Sequence, residues 1–248
     1  MNRLPAGTGW TWLTQGFALF RKQPGLLTML LFSTTMVTLM LSVIPIVGGI
    51  VSTILLPAFS MVIFESCRQL EAGERVTPAV LLTGFQEGKA GPLAKLGMVY
   101  FILSIVLSLA VLPWIDLGAF QAAAKAAQAK QDATLPAGAV TGLLVLIALL
   151  AAMVLSLSFA PALTHWKKMP TFKAIFYSVF AVIGSLGPML VLLASWCGIQ
   201  MFLFGVIVLL LGSTQFVMAV LMLMCLTAAT VLQCALYAAY RHLIPDTE

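Results

Sequence analysis

The feature that most constrains this chain is the length of its stretches without a charged residue: Gly25 to Phe64, Leu96 to Ile115, Val140 to Leu163, and Ala174 to Tyr240. A hydrocarbon slab of roughly 30 Å is crossed by about 20 apolar residues of helix, so each run converts into a number of crossings. The 248-residue sequence is 61% hydrophobic and 8% charged, with a mean hydropathy of +1.07. These values exclude a water-soluble globule and a disordered chain. Four cysteines in a chain of this length do not make a disulfide scaffold. What remains is an all-α polytopic membrane protein.

The first run carries Ile44, Pro45, Ile46, Val47, Gly48 and Gly49 at its middle, a turn signature that divides it into a hairpin. The last run is interrupted most strongly at Gly212, Ser213, Thr214 and Gln215. The reading is six spans at about 26–44, 48–65, 94–115, 140–163, 188–211 and 216–239, within one transmembrane domain over residues 1–248. Residues 1–23 are expected to form an interfacial helix and 116–138 an external loop. Ala174 to Leu186 is apolar but short for a crossing, and Ser178, Gly184 and Ser185 weaken it further; it is not counted as a span, and both an interfacial and a crossing placement stay open.

Six spans put both termini on one side. Arg3, Arg21, Lys22, Arg68, Arg75, Lys89, Lys95, Lys167, Lys168, Lys173 and Arg241 then fall on the terminal side, and only Lys125 and Lys130 fall opposite. The positive-inside rule makes the terminal side cytoplasmic. The net charge of +5 does not point to nucleic acid, because the cations are scattered over short loops beside the spans, where they would attract anionic headgroups. Arg21, Lys22, Arg68, Lys167, Lys168 and Lys173 are the candidate headgroup contacts. No cleavable signal is expected: after Arg3 the chain runs through Trp10, Trp12 and Gln15 without a compact apolar core.

Three segments share an outline: WLTQGFALFRKQPGLLTMLL from Trp12, AVLLTGFQEGKAGPLAKLG from Ala79, and AIFYSVFAVIGSLGPMLVLL from Ala174. Each reads as a short amphipathic or weakly apolar helix, a break, a proline and a full span. Pro24, Pro92 and Pro188 are placed to open spans one, three and five, since proline suits the first turn of a helix. The partner spans end alike, in PAFSMVIFESCRQ, PALTHWKKM and CALYAAYRHL. The pattern fits three copies of an interfacial helix plus a transmembrane hairpin, although any proline-led apolar hairpin shares part of that outline. Interfacial helices are expected at Gly9 to Lys22, with Trp10, Leu13, Phe17 and Phe20 on its apolar face, and at Thr77 to Glu87.

Chemistry inside a membrane announces itself through ionisable residues within spans, and there are almost none. Glu65, with Arg68 three residues on, reads as a boundary ion pair, and Asp116 as an interface residue. His165 and His242 both fall at terminal-side span ends and read as belt residues. Cys67, Cys197, Cys225 and Cys234 show no CxxC spacing, and HExxH, GxSxG, P-loop and GxGxxG signatures are missing. The expectation is a chain that is not an enzyme, with no catalytic, metal or cofactor residues. Gln200 and Gln233 are the most polar side chains within spans and are candidate intramembrane polar contacts, expected to bond across helices rather than to line a substrate cavity. Small residues at Ala152, Ser156 and Ala160, at Ser104 and Ser108, and at Ala235 and Ala239 are expected to form packing seams.

The opening WTWLTQGFALFRKQPGLL, the hairpin closing through IPIVGG, the LPAFSM segment before a loop ending RVTP, and the closing ALYAAYRHLI resemble a family of small uncharacterised proteobacterial inner-membrane proteins. The resemblance implies a bacterial inner-membrane location and brings no activity or binding residues. The functional expectation is a membrane protein that binds lipid, a partner membrane protein or a second copy of itself. A transport component for an uncharged or amphipathic solute is the alternative. A polar cavity lined by Gln200, Gln233 and Ser195 would favour transport.

Overall fold

The computed structural model describes residues 4–85, 90–114, 118, 137–212 and 215–244. Most of the expected external loop, with Asp116, Lys125, Lys130 and Asp132, lies outside the described residues, as do Arg3, Glu87 and Lys89. The described chain consists of helices α1 (Thr8–Lys22), α2 (Pro24–Ser42), α3 (Val47–Glu71), α4 (Ala90–Val111), α5 (Ala137–Ser156), α6 (Ala160–His165), α7 (Thr171–Gly184), α8 (Leu186–Leu211) and α9 (Gln215–Leu243), with short 3-10 pieces at Pro78–Phe85 and Leu112–Trp114. Among the described residues six stretches are long and apolar enough to cross a membrane: Pro24–Ser42, Val47–Glu71, Gly91–Val111, Val140–His165, Leu186–Leu210 and Phe216–Leu243. The protein is an all-α polytopic membrane protein, and α7 is a separate, shorter apolar helix of 14 residues.

The prolines open their spans as their chemistry requires. Pro24 is the first residue of α2, and Pro92 and Pro188 lie in the first turns of α4 and α8, where a missing N–H leaves no carbonyl unserved. The turn between α2 and α3 is tighter than its glycines alone foretell. Ile46 has φ 64°, and the Val47 N–H reaches back to the Pro45 carbonyl at 2.7 Å, which makes a three-residue turn of the strained hand. Gly48 follows because a Cβ there would stand 1.7 Å from the Leu41 carbonyl oxygen, whereas Gly49 meets nothing within 4 Å.

Span four is broken where Pro161 interrupts the helical ladder, leaving turn geometry at 157–159 between α5 and α6. Pro161 has no N–H to give the Leu157 carbonyl four residues back. That oxygen accepts instead from the Ala160 N–H at 3.1 Å and from the Tyr100 hydroxyl at 2.6 Å. Ser178 of α7 repairs the other side: its hydroxyl donates to the Ser156 carbonyl at 2.7 Å and accepts from the Phe159 N–H at 3.2 Å. Backbone polar groups at membrane depth must be satisfied by protein, so Tyr100→Phe is expected to destabilise the fold by about 1–2 kcal/mol. A fall in detergent-solution melting temperature measures it, and an unchanged value would deny the bond any role.

The second helices of the three hairpins, α3, α5–α6 and α9, supply the centre of the bundle. Met61, Phe64, Phe159, Leu163, Ala235 and Tyr240 belong to one buried cluster. The first helices each add fewer residues to it, among them Leu27, Leu93 and Leu192, and α8 is the most peripheral, with 6% of its apolar window buried against protein.

Each short segment packs on the second helix of a different hairpin from the one it introduces. The 3-10 turn precedes α4 but rests on α3, α7 precedes α8 but rests on α6, and α1 precedes α2 but rests on α9. The third case closes the ring from the first element to the last. Two of the three contacts are equivalent at residue level. A Cβ on Gly16 would lie 2.5 Å from the Ala235 backbone nitrogen, and one on Gly84 would lie 2.9 Å from the Ala58 Cβ; Ala58 and Ala235 hold the same place in PAFSM and CALYA.

This packing revises the expected face of α1. Trp10 and Phe17 are half-exposed, while Gly9, Trp12, Leu13 and Gly16 form the buried face. Glycine allows a helix backbone to approach another closely enough to outweigh what an aromatic stripe gains in the headgroups. The seams also divide. Ala160, Ala235 and Ala239 are buried, whereas Ser108 and Ala152 are exposed.

Candidate functional site

Both described ends of the chain meet at one end of the bundle. The Trp12 indole N–H donates to His242 Nδ1 at 3.0 Å, across 230 residues of sequence, and the two rings stand edge to face at 5.9 Å. This terminal face also carries the ends of α3, α6 and α9, the three segments whose sequences end alike.

Glu65 anchors the arrangement. Its side chain is 8% exposed; one carboxylate oxygen accepts from Arg68 Nη2 at 2.7 Å and the other from the Trp166 indole N–H at 2.9 Å. The expected ion pair with Arg68 is present, and the Trp166 bond adds a link from α3 to the end of span four that spacing alone could not reveal. The Arg68 guanidinium lies 5.2 Å from the Trp166 ring centroid, within the range of cation–π attraction. Six residues on, Glu71 pairs with Arg241 and accepts from the Tyr237 hydroxyl at 2.8 Å. Trp166, Tyr237 and Tyr240 pack together, with Trp166 5.4 Å from Tyr240 and 6.2 Å from Tyr237 between ring centroids. Beneath them Cys67 and Cys234 are fully buried, with their sulfurs 3.3 Å apart.

The candidate headgroup contacts divide by what they touch. Arg21 and Lys22 are exposed at the end of α1; Arg21 lies 6.0 Å from the Phe17 ring centroid, and Lys22 donates to the Leu70 carbonyl at 2.7 Å, serving a carbonyl in the last turn of α3. Lys168 and Lys173 are exposed and Lys167 is half-buried. Lys173 reaches within 5.9 Å of the Tyr177 ring centroid. Lys168 holds φ 49°, a left-handed conformation that side chains rarely adopt.

Gln200 and Gln233 are not brought together. Gln200 borders an apolar groove of about 500 Å³ between α1, α8 and α9, beside Trp10, Phe17, Trp196 and Leu203. Gln233 borders a separate cleft of about 220 Å³ with Thr34, Thr38, Phe59 and Ser60. The Gln200 side-chain oxygen is buried and accepts no hydrogen bond among the described residues. Ser195 borders neither space. His165 is buried at the end of α6, and among the described residues no group of three or more His, Cys, Asp and Glu is placed to hold a metal ion.

Sequence reasoning identifies the Glu65–Arg68 pair but misses Trp12–His242, Glu65–Trp166, Glu71–Tyr237 and the Cys67–Cys234 contact. The usable signal is the likeness of the three span ends, since equivalent ends of a repeat converge when the copies close on one another.

No family model matches the chain, and no solved structure matches it. A "Probable inner membrane protein" of Burkholderia thailandensis is 30% identical to it over 95% of this chain and 90% of the relative. The protein is a multi-pass inner-membrane protein, and it belongs to the family of that Burkholderia protein.

Proposed function

We propose that this protein is a non-catalytic membrane component whose terminal face lies on the cytoplasmic side and gathers anionic lipid, with Arg21, Lys22, Lys167, Lys168 and Lys173 as the contacts. The observation that carries the reading is the arrangement of that end. Its centre is cross-linked by the aromatic and carboxylate contacts of Glu65, Glu71, Trp166 and Tyr237, while its rim offers exposed cations at the ends of α1 and around α7. Cations beside a span are attracted to the anionic leaflet by about 1 kcal/mol each.

The transport alternative gains little support. It called for Gln200, Gln233 and Ser195 around one polar cavity, and the two glutamines border separate spaces. A partner membrane protein or a second copy would find its natural seat on the peripheral α8, which the lipid reading leaves covered by acyl chains.

The test is to purify the full chain from a membrane containing phosphatidylglycerol and to quantify the lipid that remains bound. The triple variant Lys167→Gln, Lys168→Gln, Lys173→Gln is expected to lose at least about tenfold of the bound anionic lipid, with the loss mimicked by raised salt. Retention of wild-type levels would overturn the reading. A reporter fused to the C-terminus that is active only outside the cytoplasm would reverse the orientation.

A further inference from the structure

A cavity of about 320 Å³ sits among the ends of α3, α6 and α9, lined by Arg68, Glu71, Trp166, Tyr237, Tyr240 and Arg241. We propose that it binds the headgroup of a zwitterionic phospholipid, a phosphodiester joined to a primary ammonium as in phosphatidylethanolamine. The proposal rests on the lipid-facing reading of this end but assigns a site, and a lipid class, different from the lysine rim.

The charges decide the class. Two guanidiniums, Arg68 and Arg241, are matched by two carboxylates, Glu65 and Glu71, each pair in direct contact. The cluster is neutral as a whole, and Arg68, Arg241 and Glu71 present both signs to the cavity. A purely anionic headgroup meets as much repulsion as attraction there, whereas a dipolar headgroup can set its phosphate against the guanidiniums and its ammonium against Glu71. The rim differs in kind: Lys22 serves a backbone carbonyl and Lys173 lies near the Tyr177 ring, so positive charge dominates there and the two sites select different headgroups.

The groups also have capacity left. A guanidinium carries five N–H donors in a planar fork suited to phosphate oxygens. The side chains of Arg68 and Arg241 are 55% and 51% exposed. Glu71 accepts from Tyr237 and pairs with Arg241, yet it is 32% exposed, and a carboxylate has about four lone-pair sites. Glu65, by contrast, is nearly buried and committed to Trp166 and Arg68. It fixes the Arg68 guanidinium over the Trp166 ring before any ligand arrives, which reduces the ordering a ligand must impose.

Position and size agree. Trp166, Tyr237 and Tyr240 form an aromatic group at the helix ends, the depth at which such rings meet headgroups. Their faces also favour an ammonium. The volume suits a headgroup and excludes a whole lipid, whose acyl chains would run along the outside of the bundle.

The experiment uses the full chain in mild detergent, titrated with dihexanoyl-phosphatidylethanolamine, dihexanoyl-phosphatidylglycerol and inorganic phosphate, with binding read by native mass spectrometry. The wild type is expected to bind the ethanolamine lipid at least about tenfold more tightly than the glycerol lipid. Glu71→Gln, which keeps an acceptor for Tyr237 but loses the charge that meets the ammonium, is expected to remove that preference by weakening the ethanolamine lipid and strengthening the glycerol lipid. Arg68→Gln is expected to weaken both lipids. Equal binding of the two lipids by the wild type overturns the proposal, and needs no variant to fold. So does displacement of the ethanolamine lipid by phosphate alone at equal concentration, which would mark a free-phosphate site. Ethanolamine selectivity that survives in the triple lysine variant, alongside unchanged anionic enrichment, would fault the rim reading alone. Loss of lysine-dependent enrichment without ethanolamine selectivity would fault the cavity alone.

Discussion

Gly16→Val is expected to lift α1 off α9 and to produce one of the largest losses of stability that any single substitution causes in this protein. A Cβ at Gly16 already stands 2.5 Å from the Ala235 nitrogen and 2.6 Å from its Cα, both backbone atoms that cannot swing aside. Two further methyl groups leave the helices no shared position. Overpacking of this kind costs about 1–3 kcal/mol where neighbours can adjust, and a backbone obstacle places this site at the upper end. The loss extends beyond the glycine, because the same helix holds fully buried Trp12 and its bond to His242. The checks are the melting temperature in detergent and the accessibility of Trp12 to a fluorescence quencher. Gly198→Val, at a glycine of α8 with nothing within 4 Å of a Cβ, serves as the control and is expected to be tolerated. An unshifted melting temperature with Trp12 still protected would mean that α1 is not seated where the geometry puts it.

Glu65→Ala is the second large effect, expected at about 2–4 kcal/mol. The two partners of Glu65 contribute unequally. Arg68 is 55% exposed, so water screens the ion pair and its share is small. The Trp166 indole N–H, at 2.9 Å from the other oxygen, loses its acceptor at the end of span four, and a stranded donor is costly. Glu65→Gln retains an acceptor for Trp166, and it should therefore lose less than half of what the alanine variant loses. The pair of melting temperatures checks this. If the glutamine variant falls as far as the alanine variant, the charge carries the stability and Arg68, not the Trp166 indole, is the dominant partner.

These two sites show where the sequence is informative. Gly16 lies in a segment recognisable as a short helix before a proline, and Glu65 in a span end followed by a cation. Those local facts are legible because lipid imposes a length on helices and water claims charged side chains. The partners are another matter. Gly16 meets Ala235, Glu65 meets Trp166, and Trp12 meets His242, and no local pattern links members of such distant pairs. The apolar face expected of α1 differs from the face that packs for a related reason. Periodicity finds the greasy side of a helix, but a membrane-embedded bundle offers greasy surroundings on protein and lipid sides alike, so the side that packs is the one with the least bulk.

The sequence by itself determined that this is a helical membrane protein with six spans among the described residues, which prolines open its spans, and on which side of the spans its cations gather. A charge-free stretch has few ways to satisfy its backbone in hydrocarbon, and a charged side chain must reach water. Only the tertiary structure decided that α1 closes on α9, that three similar span ends converge, and that Arg68, Glu71 and Arg241 line one cavity between them. Such contacts depend on how close two backbones come, which side-chain shape settles and hydropathy does not record.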